Sequence, residues 1–128
     1  MISKNTDLGL LLLRISTGGL MLFHGVSKLI HGISFLVENM GVFGYAVYIG
    51  EVLAPIAILL GFRTRIAAVL LAITCVVAVA TAHAQDIFSI SDHGGYALEL
   101  LMLYLFGAVA LFFTGAGKFA LSKNNQWD

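Results

Sequence analysis

The chain has 128 residues, 59% of them hydrophobic and only 11% charged, with seven basic and seven acidic side chains and a mean hydropathy of +0.96. Soluble domains carry roughly 25% charged residues, so this composition excludes a surface that faces water throughout, and the zero net charge gives no footing for a nucleic-acid partner or a polybasic patch. Cys75 is the single cysteine and lies in an apolar run, which leaves neither a disulfide framework nor a dithiol redox centre.

These numbers predict an all-α, polytopic membrane protein: a four-transmembrane-helix bundle forming one domain over residues 1–128. The first span is expected at about 8–30. Lys4 suits the n-region of a secretory signal, but Asp7 follows it, Arg14 interrupts the apolar stretch and no small-x-small cleavage site follows at the right distance, so this stretch reads as a retained span. It ends in "LMLFHGVSKLIHG", which places His24, Lys28 and His31 along one segment. The loop that follows, "ISFLVENMGVF", is apolar on several sides and is expected to lie in the interface or re-enter the membrane. The second span, about 45–62, holds Glu51 and the only proline, Pro55. Lacking an N–H, Pro55 frees the carbonyl of Glu51 and predicts a kink beside it. A tight "GFRTR" turn leads to the third span, about 66–84, whose strongly polar members are Thr74, Thr81 and His83. The fourth, about 95–114, follows "QDIFSISDHGG" and opens with Glu99. Two hexapeptides, "YIGEVL" at 48–53 and "YALELL" at 96–101, share a Tyr-x-x-Glu-x-Leu pattern and suggest a faint repeat of hairpins.

Lys4, Arg63, Arg65, Lys118 and Lys123 fall on one side of this arrangement, so both termini are expected to be cytoplasmic. Counting a rise of about 1.5 Å per residue from that side puts His24 and His83 both roughly 24–25 Å up their helices. Glu99 and Glu51 fall about 6 Å and 9 Å below the outer ends of theirs. Ionisable residues at such depth face a bundle interior or a cavity. His24, Lys28, Glu51, His83 and Glu99 therefore form the candidate ligand or proton site, in the outer third of the bilayer. Tyr45, Tyr48 and Tyr96 are candidates to line it. Arg14 sits deeper and is expected to brace the bundle through a carboxylate or carbonyls. Plainer readings stand beside these: Lys28 snorkelling to headgroups, His83 as an interfacial residue, and the two glutamates paired purely for packing. A metal site is not predicted; His24, His83, Glu51 and Glu99 are its weak candidates, because none shows tight ligand spacing.

With "LLLRISTGGLMLFHGVSKL", "GEVLAPIAILLGFRTRIAA" and "ELLMLYLFGAVALFFTGAGKFAL" placed, the chain from about 8 to 122 resembles the DoxX family of small four-helix bacterial membrane proteins. The resemblance implies location in the bacterial inner membrane and, for some members, a place as membrane subunit of a thiosulfate:quinone oxidoreductase or in oxidative-stress complexes. It supplies no catalytic residue set. The leading functional expectation is a quinone-interacting membrane subunit or accessory of a redox complex, with quinone as ligand and a soluble redox partner or a second copy of the chain alongside the lipid. A structural assembly module and a small-solute or ion transporter are the alternatives.

Overall fold

The computed structural model describes residues 2–128, and their regular structure is helical; the one piece of β pairing among them is an isolated antiparallel bridge between Ile90 and Tyr96. Helix α1 runs Thr6–His31. The Asn5 side chain accepts from the Leu8 N–H at 3.0 Å, and Asp7 sits in the first turn, so the first free amides and the positive end of the helix dipole are answered locally. The helix widens into a single π turn at Ile15–Gly19, directly after Arg14.

The expected interfacial loop is helical. Helix α2 spans Ser34–Met40 and continues as a 3₁₀ segment, Gly41–Ala46. Helix α3, Ile49–Leu60, leaves that segment at an angle of 55°. The bend therefore lies at residues 46–49 and not at the predicted position beside Pro55. At Pro55 the chain instead takes a π turn, Ile49–Leu53, just ahead of the proline, which absorbs the missing N–H without breaking the helix. Gly61 ends α3 in the left-handed region (φ 71°), a conformation that suits glycine. Helix α4 is Thr64–Ala82 and α5 is Glu99–Thr114. Residues 95–98, expected in the fourth span, belong to the loop, where the Ser91 N–H donates to the Gly95 carbonyl at 2.7 Å.

Two of these helices, α1 and α4, are long and apolar enough to cross a membrane, and the bent pair α2–α3 makes a third if it is one span. Helix α5 is apolar but has 16 residues, about 24 Å of rise. The bundle core is small, with Met21, Ile58, Leu71, Cys75, Ala108 and Leu111 buried together. Large side chains such as Phe23, Leu103, Phe106 and Phe113 point outward. That pattern would be a liability in water and is the ordinary surface of a protein in lipid. Without a hydrophobic drive between helices, close backbone approach holds such bundles together. Gly25 lies against the backbone of Glu51, and Gly50 lies against the Thr74 side chain, so α3 is gripped by α1 on one side and α4 on the other.

The segment after α5 folds back over the α3–α4 turn. Leu121 and Ser122 N–H groups donate to the Leu60 and Gly61 carbonyls, each at 3.1 Å. Arg63 Nη1 donates to Asp128 Oδ1 at 2.7 Å and to Ser122 Oγ at 3.0 Å. Burial pushes the Asp128 carboxyl up, but hydrogen bonds from Ser122, the Asn125 N–H and Arg63, with the charge of Arg63, outweigh it and hold the group down at about 2.

Candidate functional site

Glu51 sits in the π turn of α3 and is 8% exposed. Its Oε2 accepts from Lys28 Nζ of α1 at 2.5 Å. A charge-assisted hydrogen bond of this kind is short and strong, and it lets a carboxylate persist where water is scarce. The sequence builds the contact from three directions. Gly25, one turn before Lys28, admits the α3 backbone; the Glu51 carbonyl that Pro55 cannot satisfy faces it. The Tyr48 hydroxyl donates to the Lys28 carbonyl at 3.2 Å, tying the end of α1 to the start of α3.

The pair forms one end of a cavity of about 560 Å³ enclosed by the C-terminal end of α1, by α2 and its 3₁₀ extension, by the start of α3, and by the second half of α4. This volume falls in the range of small-molecule sites. Most of the wall is apolar, including Phe35, Phe43, Ile49, Ile73 and Val77, while Thr74, Thr81 and His83 add polar atoms along α4. The threonine hydroxyls donate to the carbonyls one turn back, Leu70 at 2.9 Å and Val77 at 2.8 Å, so they face the cavity as acceptors. His83 caps the end of α4 with its Nδ1 3.4 Å from Asp86 Oδ2.

Of the five residues that depth counting grouped, the structure brings Lys28, Glu51 and His83 to this cavity. His24 and Glu99 are not on its wall. His24 is exposed on α1 and meets the Tyr104 ring of α5 edge to face, at 6.1 Å between centroids. Glu99 is exposed at the start of α5, with no ion pair among the described residues. Tyr45, Tyr48 and Tyr96 do not line the cavity; the aromatic wall is Phe35 and Phe43, from the stretch expected to lie in the interface or re-enter the membrane. No group of three or more His, Cys, Asp or Glu comes together as a metal-binding set among the described residues.

Arg14 is 1% exposed and lies apart from the cavity. All three of its guanidinium nitrogens donate to carbonyls. Nε reaches Ile58 at 2.8 Å, Nη2 reaches Leu59 at 2.7 Å, and Nη1 reaches Ala116 at 3.2 Å and Phe119 at 2.5 Å. Ile58 and Leu59 lie in the last turn of α3, where a helix carries its partial negative charge. One buried cation thus closes the end of α3 and fastens the C-terminal segment to it.

Comparison with known proteins bears on the whole arrangement. A Bacillus subtilis (strain 168) protein named "Putative oxidoreductase CatD" is 30% identical to this chain over 109 residues, covering 80% of this chain and 81% of the relative. No solved structure matches. The DoxX family model matches residues 9–84, from the start of α1 through the buried Arg14, Lys28, Glu51 and the cavity wall to the end of α4. That is more than half of the chain and all of the cavity-forming elements, and the protein belongs to the DoxX family.

Proposed function

We propose that this DoxX-family membrane protein is a quinone-interacting membrane subunit or accessory of a redox complex, and that the Lys28–Glu51 cavity is its ligand site. The observation that carries the reading is the pairing of one charged, hydrogen-bonding end with an otherwise apolar chamber of about 560 Å³. A quinone needs this combination: donors and acceptors for its ring oxygens and an apolar wall for its body. The relative named as an oxidoreductase supports the redox association. The chain carries no recognisable flavin, iron–sulfur or c-type haem motif, so a partner protein would deliver or accept the electrons. In this reading the protein forms one domain with four spans: α1, the bent α2–α3 pair, α4 and α5. Both termini are cytoplasmic, the cavity lies in the outer third of the bacterial inner membrane, and His83 with its neighbour Asp86 passes protons between the cavity and the outer surface.

Native mass spectrometry of gently solubilised protein tests this. A retained quinone that is lost from Glu51→Gln is the expected result, and a clean apo mass for the wild-type protein contradicts tight binding. A second reading, an assembly module, draws on the way the same ion pair ties α1 to α3. It predicts that Glu51→Gln costs the protein its accumulation in the membrane even where no ligand is present.

A further inference from the structure

The rim of the cavity indicates how its ligand arrives. Side chains that both line the chamber and are exposed mark its openings. Along α3 and α4 the large ones are Ile49 (45% exposed), Ile73 (54%) and Val77 (39%), joined by Phe35 of α2 and Phe43 of its extension. These five are apolar; the other exposed lining residues, Gly32, Ser34, Ala46, Thr81 and Ala82, are small or hydroxyl-bearing and include the end of α4 and the start of α2. An opening edged this way faces hydrocarbon in a membrane-embedded bundle, because a water-facing mouth of five large apolar groups would be strongly disfavoured. Gly50 and Glu51, also on the wall, are buried, and Lys28 beside them keeps 31% of its side chain exposed.

Charge at the Lys28–Glu51 pair also selects. Lys28 is the sole Lys or Arg on the wall and is already matched by Glu51 at 2.5 Å. An anionic head would approach the buried carboxylate, and a cationic head would approach the ammonium, so either leaves a like-charge contact. An uncharged head meets no such penalty. Lys28 Nζ keeps donors beyond the one it gives to Glu51, and Glu51 Oε1 makes no hydrogen bond among the described residues. The pair therefore offers a donor to a carbonyl and an acceptor to a hydroxyl, side by side.

We infer that the cavity takes its ligand laterally from the bilayer and selects an uncharged amphiphile, with a carbonyl- or hydroxyl-bearing ring seated at Lys28–Glu51 and an apolar tail leaving past Ile49, Ile73 and Val77. This deepens the quinone reading and rests on it. It adds the entry route and the discrimination against charged lipids.

The test uses the full chain in phosphatidylcholine nanodiscs with three probes: a decyl-substituted benzoquinone, the same ring without its chain, and decyl phosphate. Wild-type protein is expected to bind the decyl-benzoquinone at least about tenfold more tightly than decyl phosphate, and Ile73→Trp is expected to weaken the decyl compound about tenfold while changing the chainless ring less than about twofold. Val77→Trp, on the same rim, serves if Ile73→Trp fails to fold. Equal binding of decyl phosphate overturns the charge selection. An unchanged decyl compound in the variant, or an equal loss of both rings, overturns the lateral route while leaving the quinone reading in place. If neither ring binds the wild-type protein, the quinone reading falls and this inference falls with it.

Discussion

The two Tyr-x-x-Glu-x-Leu segments head two returning stretches of chain, and the fold treats them differently. In 48–53 the Tyr48 hydroxyl reaches across to the Lys28 carbonyl of α1, Glu51 is buried against Lys28, and the backbone is a π turn ahead of Pro55. In 96–101 the Tyr96 hydroxyl returns to its own loop at the Ile87 carbonyl, 2.6 Å away, and Glu99 opens an ordinary α-helix with its side chain exposed. What differs is the neighbour. Gly25 lets α1 come within backbone contact of Glu51, whereas the Glu99 carboxylate tip lies against Gly95 of its own loop and makes no ion pair among the described residues. A carboxylate is drawn into an ion pair here where a glycine on the facing helix lets the two helices approach.

The comparison can be broken most severely at those glycines. A methyl group at Gly25 would collide with the Glu51 backbone, which cannot move aside, so Gly25→Ala is expected to destabilise the protein by about 3 kcal/mol, while Gly95→Ala, which meets only the movable Glu99 tip, stays within about 0.5 kcal/mol. Unfolding of the purified variants in detergent reads both. The carboxylates themselves come next. Glu51→Gln is expected to cost about 2 kcal/mol, less than a fully buried pair because Lys28 keeps 31% of its side chain exposed. Glu99→Gln should stay within about 0.5 kcal/mol, and a Lys28→Met, Glu51→Leu double variant should recover most of the loss of either single change. A double variant no more stable than the singles would show that the pair is not what holds α1 to α3. Smaller still are the tyrosines: Tyr48→Phe is expected to cost about 1 kcal/mol and Tyr96→Phe less than about 0.5 kcal/mol, because one bond joins two helices and the other stays within a loop.

A third carboxylate sharpens the contrast from the far end of the chain. Asp128 is tied to Arg63 and Ser122, and its folded value of about 2 lies below the ordinary 3.8. With the folded value lowered, its contribution is fully present above 3.8 and is lost as the pH falls from there towards 2. Trp127, the single tryptophan, reports the docking of this segment, since its carbonyl accepts from the Arg65 N–H. Its emission should hold steady from neutral pH to about 4 and shift to the red between about 4 and 2, with Arg63→Ala showing the shifted emission already at neutral pH. A spectrum independent of both changes would mean that the ion pair does not hold the segment down.

Composition and apolar run length were enough to place α1 and α4, because a helix facing lipid must be apolar over its whole length. They were not enough for α2. Residues 34–40 are too short to read as a span, and Gly44 lets the 3₁₀ segment pack against their backbone at Leu36 and Val37, a contact that no local pattern announces. Phe35 and Phe43 were therefore not assigned to the cavity from sequence. The count of residues along each helix gives height, which is why Lys28, Glu51 and His83 could be named together. It does not give direction around the axis. His24 and Lys28 differ by about 40° on an ideal helix, enough to turn one towards Tyr104 of α5 and the other towards Glu51. The π turn at Ile15–Gly19 adds a further rotation that no regular period anticipates. Arg14 was legible as a buried cation, but its partners were not, since Ala116 and Phe119 come from a segment more than a hundred residues away.

The account turns on the claim that Glu51, not Glu99, is the functional carboxylate. The most direct measurement is decyl-benzoquinone binding to wild-type protein, Glu51→Gln and Glu99→Gln, each taken as the monodisperse fraction in nanodiscs. The account predicts a loss of at least about tenfold for Glu51→Gln and wild-type affinity for Glu99→Gln. Wild-type affinity in Glu51→Gln, or an equal loss in Glu99→Gln, would contradict it.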